Sequence, residues 1–244
     1  MTAGSRMMSS LLENYERIRQ GVFDACLRSG RNPRDVRLIA VTKTVEPGRI
    51  RQLYNAGHRE FGENRLQEAL PKMAELPADS LWHFIGRIQK NKLRRIVTDF
   101  SLIHSVDSLE IAVKMDSIAT EYGLQARILL QTNLAGEATK GGFGEASLKN
   151  ALPDILGLAG LRVEGLMCIP PFVEDPEASR GYFQRMRTLR DELQVACSHP
   201  LPELSMGMSN DYLVAVEEGA TFVRVGSSLF GARPPAEPTV TTDS

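Results

Sequence analysis

Leu38-Ile39-Ala40-Val41-Thr42-Lys43-Thr44 is a short apolar run that ends in three polar residues and leads into a turn. Residues 38–41 read as a strand buried on both faces, because no period-two alternation marks a solvent side. Pro47 then opens a helix over residues 47–56, since a first-turn proline gives up an N–H that would have no partner anyway. The unit is strand, polar turn, helix. A lysine just past a buried strand is costly to desolvate, and a desolvated amine becomes a nucleophile able to form a Schiff base.

The same unit recurs along the chain. Apolar runs predict strands at 36–41, 60–62, 82–85, 102–105, 127–132, 162–167, 203–205 and 222–225. Helical spacing predicts helices at 50–56, 65–74, 90–97, 108–121, 148–158, 176–197 and 211–218. A further amphipathic helix at 7–28 precedes them, with Leu11, Ile18, Val22, Cys26 and Leu27 at helical spacing. Strands alternating with helices in one domain of this length point to a single (β/α)8 TIM-type barrel with an extra N-terminal helix. A doubly wound open sheet is the alternative, but no G-x-G-x-x-G follows the first strand. Residues 1–5 and the Pro- and Thr-rich segment 234–244 are expected to lack structure, leaving 6–233 as the barrel domain.

Composition excludes several function classes. The 244 residues are 42% hydrophobic and 24% charged, with a net charge of −1. No Lys/Arg block argues for nucleic acid, and Lys90, Lys92, Arg94 and Arg95 read as a solvated helix face. No apolar run reaches membrane-spanning length and no signal-peptide core is present, so a cytoplasmic location is expected. Cys26, Cys168 and Cys197 form no C-x-x-C pair, which argues for a reducing compartment. No His/Asp/Glu set has zinc-ligand spacing.

In a barrel, chemistry gathers at the carboxyl ends of strands, and phosphate is often held by the loops after strands seven and eight. Ser209 and Gly226-Ser227-Ser228 fall at those two loops. Strand one closes beside strand eight, so Lys43 should converge on them. Arg224 lies inside strand eight, and a buried arginine needs an acceptor, for which a ligand ring nitrogen is a candidate. Asn64, Asn133, Glu137 and Lys140 also stand at strand ends. Glu63 reads as a neutraliser of Lys43 or Arg224, His83 as a satisfied core histidine, and Cys168 as a small core residue.

Ala40-Val41-Thr42-Lys43-Thr44, Phe61-Gly62-Glu63-Asn64, the run from His83 to Lys92, Gly165-Leu166-Met167, Ser205-Met206-Gly207-Met208-Ser209-Asn210-Asp211 and Val223-Arg224-Val225-Gly226 occur in this order. Together they resemble the pyridoxal phosphate homeostasis protein family, over residues 11–233. The resemblance implies a barrel like the N-terminal domain of alanine racemase, with pyridoxal 5′-phosphate on Lys43. It implies phosphate contacts from Ser209, Gly226 and Ser227, Arg224 near the pyridine nitrogen, and Asn64 and Met206 lining the ring. Ser227 stands where many relatives carry threonine, and the hydroxyl is kept. The family is regarded as non-catalytic. An arginine at the pyridine nitrogen leaves it unprotonated and weakens the cofactor as an electron sink, and no room remains after Arg233 for a second catalytic domain. A monomeric carrier is therefore expected, with apo-enzymes that receive the cofactor as partners. The rivals are a pyridoxal-phosphate-dependent amino-acid racemase and a barrel that binds another phosphorylated metabolite without a Schiff base.

Overall fold

A strand that is apolar on both faces needs a neighbour at each edge and helices behind it. Closing the sheet on itself supplies both. The computed structural model describes residues 3–136 and 141–231, with side chains from Ser10 onward. Eight parallel strands close into one barrel in chain order. They are β1 (Arg37–Val41), β2 (Glu60–Glu63), β3 (Leu81–Phe84), β4 (Leu102–Val106), β5 (Ala126–Thr132), β6 (Leu161–Cys168), β7 (Glu203–Met208) and β8 (Phe222–Val225). The barrel closes through β1 and β8, with Ile39 opposite Arg224 and Ala40 opposite Val225.

Helices α1 (Ala3–Arg28), α2 (Pro47–Asn55), α3 (Leu66–Glu75), α4 (Leu93–Asp99), α5 (Leu109–Glu121), α6 (Glu145–Leu156), α7 (Arg180–Cys197), α8 (Tyr212–Glu217) and α9 (Ser227–Phe230) cover the strands. Local chemistry sets several ends. Pro47 opens α2, and the Ser108 hydroxyl caps α5 by accepting from Ile111 N at 3.3 Å. α1 packs its buried stripe of Leu11, Tyr15, Ile18, Val22 and Cys26 toward α8 and α9.

The structure departs from the sequence reading in a few places. α1 begins at Ala3 rather than residue 7, so residues 3–5 are helical, whereas Met1 and Thr2 lie outside the described residues. Leu27 faces solvent, because the stripe through Ile18, Val22 and Cys26 turns it outward. The helix expected over 90–97 divides into a tight turn at Lys90–Lys92 and then α4. The turn at 226–228 continues into α9, a helix too short to show periodicity. Glu137, Lys140 and the segment 234–244 lie outside the described residues.

The core has two parts. Between sheet and helices lies a large apolar layer that includes Phe61, Trp82, Ile103, Leu130, Leu166, Leu204, Met206 and Val223. Inside the barrel lies a small cluster of Ile39, Leu102, Leu129, Met167 and Phe222. Polar side chains fill the rest of the lumen.

Candidate functional site

The carboxyl ends of β1, β2, β7 and β8 form one mouth. β1 runs out at Val41, and Thr42 N still pairs with Gly62 O at 2.9 Å. Lys43 follows in a turn, half-buried, two residues past the strand, and Thr44 adopts a left-handed conformation (φ 61°). The next strand ends at Glu63 and delivers Asn64, whose Oδ1 is buried without a hydrogen-bond partner. Gly86 is required beside it, because a Cβ there would lie 2.1 Å from the Asn64 carbonyl oxygen.

The loops after β7 and β8 meet as expected. Ser209 Oγ accepts from Gly226 N at 3.1 Å and lies 3.4 Å from Ser228 N, and the Ser228 hydroxyl donates to Ser209 O at 3.1 Å. Two backbone N–H groups thus converge on one oxygen, an arrangement suited to an anion. A Cβ on Gly226 would come 3.4 Å from Val41 Cβ, so this turn sits directly against β1 and the Lys43 turn beyond it. Gly207 shapes the approach. Its φ is +88°, and a Cβ would fall 2.5 Å from Ala215 Cβ. Ser227 is exposed at the start of α9, and Ser228 carries the described hydrogen bonds.

Arg224 points into the lumen, 4% exposed. Nη1 donates to Ser205 Oγ at 2.6 Å and Nη2 to the Cys168 carbonyl at 2.9 Å. Its partners are neutral. Burial lowers its pKa, while Cys168 and Asp211 act in the opposite sense. The Cys168 thiol is itself pushed up to about 12 by burial, as befits an inert core residue. Met206 does not join this group. It is fully buried in the sheet–helix layer, because Ser205 takes the inward position on β7 and side chains alternate along a strand.

Glu63 neutralises neither Lys43 nor Arg224. It faces outward to α3, where Lys72 Nζ donates to Glu63 Oε1 at 2.7 Å and to the Thr42 carbonyl at 2.8 Å. The Thr42 hydroxyl also donates to Glu63 Oε1 at 2.6 Å. Burial raises the Glu63 pKa, and the hydrogen bonds from Lys72 and Thr42 oppose it. This clamp ties the ends of β1 and β2 to α3 just below the Lys43 turn. Sequence reasoning overlooked Lys72. The available signal was its place in the buried row Leu66, Ala69, Lys72.

His83 is a satisfied core histidine, bonded to Glu60 and His104. Arg94 pairs with Glu121, Arg95 with Asp99 and Lys90 with Glu110, all on the surface, in line with a solvated face. All three cysteines are free. Among the described residues no side-chain group is arranged to hold a metal ion, and no helix is long and apolar enough to cross a membrane.

Residues 10–234 match the family model described as alanine racemase, N-terminal domain. A protein of Aquifex aeolicus named pyridoxal phosphate homeostasis protein is 44% identical over 222 residues, covering 91% of this chain and 97% of that protein. The protein of the same name from Pseudomonas aeruginosa is 42% identical over 227 residues, covering 93% and 97%. Among solved structures, PipY of Synechococcus elongatus with pyridoxal phosphate bound superposes with a TM-score of 0.78 at 43% identity, over 88% of this chain and 100% of that one. With (β/α)8 closure, the ordered motifs and this similarity over almost the whole chain, the protein belongs to the pyridoxal phosphate homeostasis protein family.

Proposed function

We propose that this chain binds pyridoxal 5′-phosphate at Lys43 and serves the intracellular supply of that cofactor rather than its use in turnover. The observation that carries the reading is the convergence of the Gly226 and Ser228 N–H groups on Ser209 Oγ, directly against the strand that ends in the Lys43 turn. The relative PipY, which binds pyridoxal phosphate, supports it. When bound, the cofactor supplies an aldehyde that condenses with an amine.

The residues present fit such a group. Ser209, Gly226 and Ser227 hold the phosphate, Lys43 takes the aldehyde end, and Arg224 faces the ring nitrogen. Asn64 offers its buried, unpartnered Oδ1 to the ring's polar edge. Met206 supports β7 from behind. The relatives' names speak for homeostasis rather than catalysis. So does the engagement of His83 and His104 within the lumen, which removes both from acid–base work at the mouth. The reading describes a cytoplasmic, monomeric carrier whose recipients are apo-enzymes.

One preparation tests it. The protein loaded with pyridoxal phosphate should show a visible band that borohydride fixes, and Lys43→Ala should lose both. Loaded protein should restore an apo-transaminase, and amino acids should show no enzyme-like exchange at Cα. Exchange on the order of 1 s⁻¹ or faster would establish the racemase-type alternative. An undiminished band in Lys43→Ala would move the attachment elsewhere.

A further inference from the structure

An unbroken line of hydrogen bonds runs up the barrel lumen. Glu60 Oε2 meets His83 Nε2, and His83 Nδ1 lies 2.9 Å from His104 Nε2. His104 Nδ1 lies 2.8 Å from Ser205 Oγ, which accepts from Arg224 Nη1 at 2.6 Å. The Cys168 carbonyl holds the other amino group, Nη2, at 2.9 Å. Glu60 opens into a cleft of about 480 Å³ at the amino-terminal mouth, lined also by Arg37, His58 and Arg59. Every other side chain in the line is buried.

The chemistry of the two ends sets a direction. A guanidinium only donates and a carboxylate only accepts. Arg224 therefore donates to Ser205, and the single hydroxyl hydrogen of Ser205 is free for His104 Nδ1. An imidazole accepting at Nδ1 carries its proton on Nε2, and passes that hydrogen bond to His83 Nδ1. His83 then carries its proton on Nε2 and donates to Glu60. Each link is satisfied with both rings neutral and in the same tautomer. Burial drives the His104 pKa well below its ordinary value, and the charges of Arg224, Arg37 and Arg127 push the same way. The Phe222 ring stands edge-on to both imidazoles, at 5.5 and 5.3 Å, and walls the line off from the apolar half of the lumen.

We propose that Ser205, His104 and His83 are positioning residues for Arg224. They draw Nη1 down the lumen, the Cys168 carbonyl holds Nη2, and the remaining N–H groups are left for the ring nitrogen at the mouth. This rests on the reading that Arg224 faces that nitrogen. The line makes the ring-nitrogen environment depend on residues that never touch the cofactor.

Histidine ring ¹⁵N NMR of the protein without cofactor tests the direction. Both rings should be neutral with the proton on Nε2. Ser205→Ala should leave His104 a mixture of tautomers, and Ser205→Thr should restore one. The coupling is tested with pyridoxal 5′-phosphate labelled with ¹⁵N at the ring nitrogen. Ser205→Ala should move that resonance and speed cofactor release by about three- to thirtyfold, the range for a weakened hydrogen bond to a charged group. Ser205→Thr should stay near wild type. A proton on Nδ1 of either ring, or an unmoved resonance with wild-type release in Ser205→Ala, would overturn the proposal. Arg224→Ala separates the two layers. If it moves the resonance and Ser205→Ala does not, only the line fails. If neither does, the placement of Arg224 fails first.

Discussion

The two mouths of this barrel are both lined by polar groups, and they differ in how their charged groups are paired. At the amino-terminal mouth the charges are paired within the chain. Arg127 grips Glu164 with two hydrogen bonds of 2.7 and 2.8 Å, Arg37 pairs with Glu203, and Glu60 with His83. At the carboxyl mouth the account is left open. Asn64 Oδ1 is buried without a partner, two backbone N–H groups share one serine oxygen, and Arg224 has only neutral partners. An unsatisfied buried polar group costs stability and calls for an explanation, which a ligand would supply at Asn64 Oδ1, whereas Glu63 Oε2 and Ser80 Oγ are unpartnered away from the proposed site. In the proposed reading the open mouth takes the ligand and the closed one serves the fold.

Breaking the clamp behind the open mouth should have the largest effect. Lys72→Met leaves Glu63 buried with one hydroxyl partner, and losing half of a buried pair costs about 3–5 kcal/mol. The pH dependence has a definite sign. The Glu63 carboxyl already sits above its ordinary value through burial, and loss of Lys72 raises it further. A raised folded-state pKa contributes stability below the unfolded value that is lost as pH rises through the folded one. Urea unfolding should therefore show a deficit that is greatest at neutral pH and narrows on acidification. A deficit independent of pH would mean that Glu63 is not the group left exposed to the cost.

Next comes the proposed phosphate cradle. If Ser209 holds the phosphate as proposed, Ser209→Ala removes one hydrogen bond to a charged group, about 1.5–3 kcal/mol, or roughly ten- to a hundredfold in affinity for pyridoxal phosphate. Adding Ser227→Ala should weaken binding further. Spectroscopic titration reads both, and unchanged affinity in the double variant would place the phosphate elsewhere.

The smallest effect is expected at the closed mouth. Arg127→Met should cost only about 1–2 kcal/mol, because Arg127 is partly exposed and Arg162 still reaches Glu164 at 3.1 Å. Cofactor affinity should not change. A loss of affinity comparable to that in Ser209→Ala would erase the distinction between the two mouths.

Most of the architecture was legible in local pattern. Apolar runs without alternation marked each strand, and strand-end polar residues marked the candidate functional mouth. The meeting of Ser209 with residues 226–228 followed from barrel topology alone. Side-chain direction was less legible. Met206 and Ser205 are adjacent, and which faces inward depends on the strand's phase, which the register shift between Ser205 and Met208 disturbs. Lys72 reads as a solvated helix residue until α3 is seen to turn Leu66, Ala69 and Lys72 toward the sheet.

By itself the sequence determined strand and helix identity, the order of the units and the residue types at each strand end. These depend on hydrophobic period, proline placement and capping among near neighbours. Only the tertiary structure decided that Glu63 belongs to Lys72, that Arg224 rests on Ser205 and the Cys168 carbonyl, and that His83 and His104 join across 21 positions of chain. Such pairings depend on how far each strand is staggered against the next when the barrel closes, a quantity set by all eight strands together.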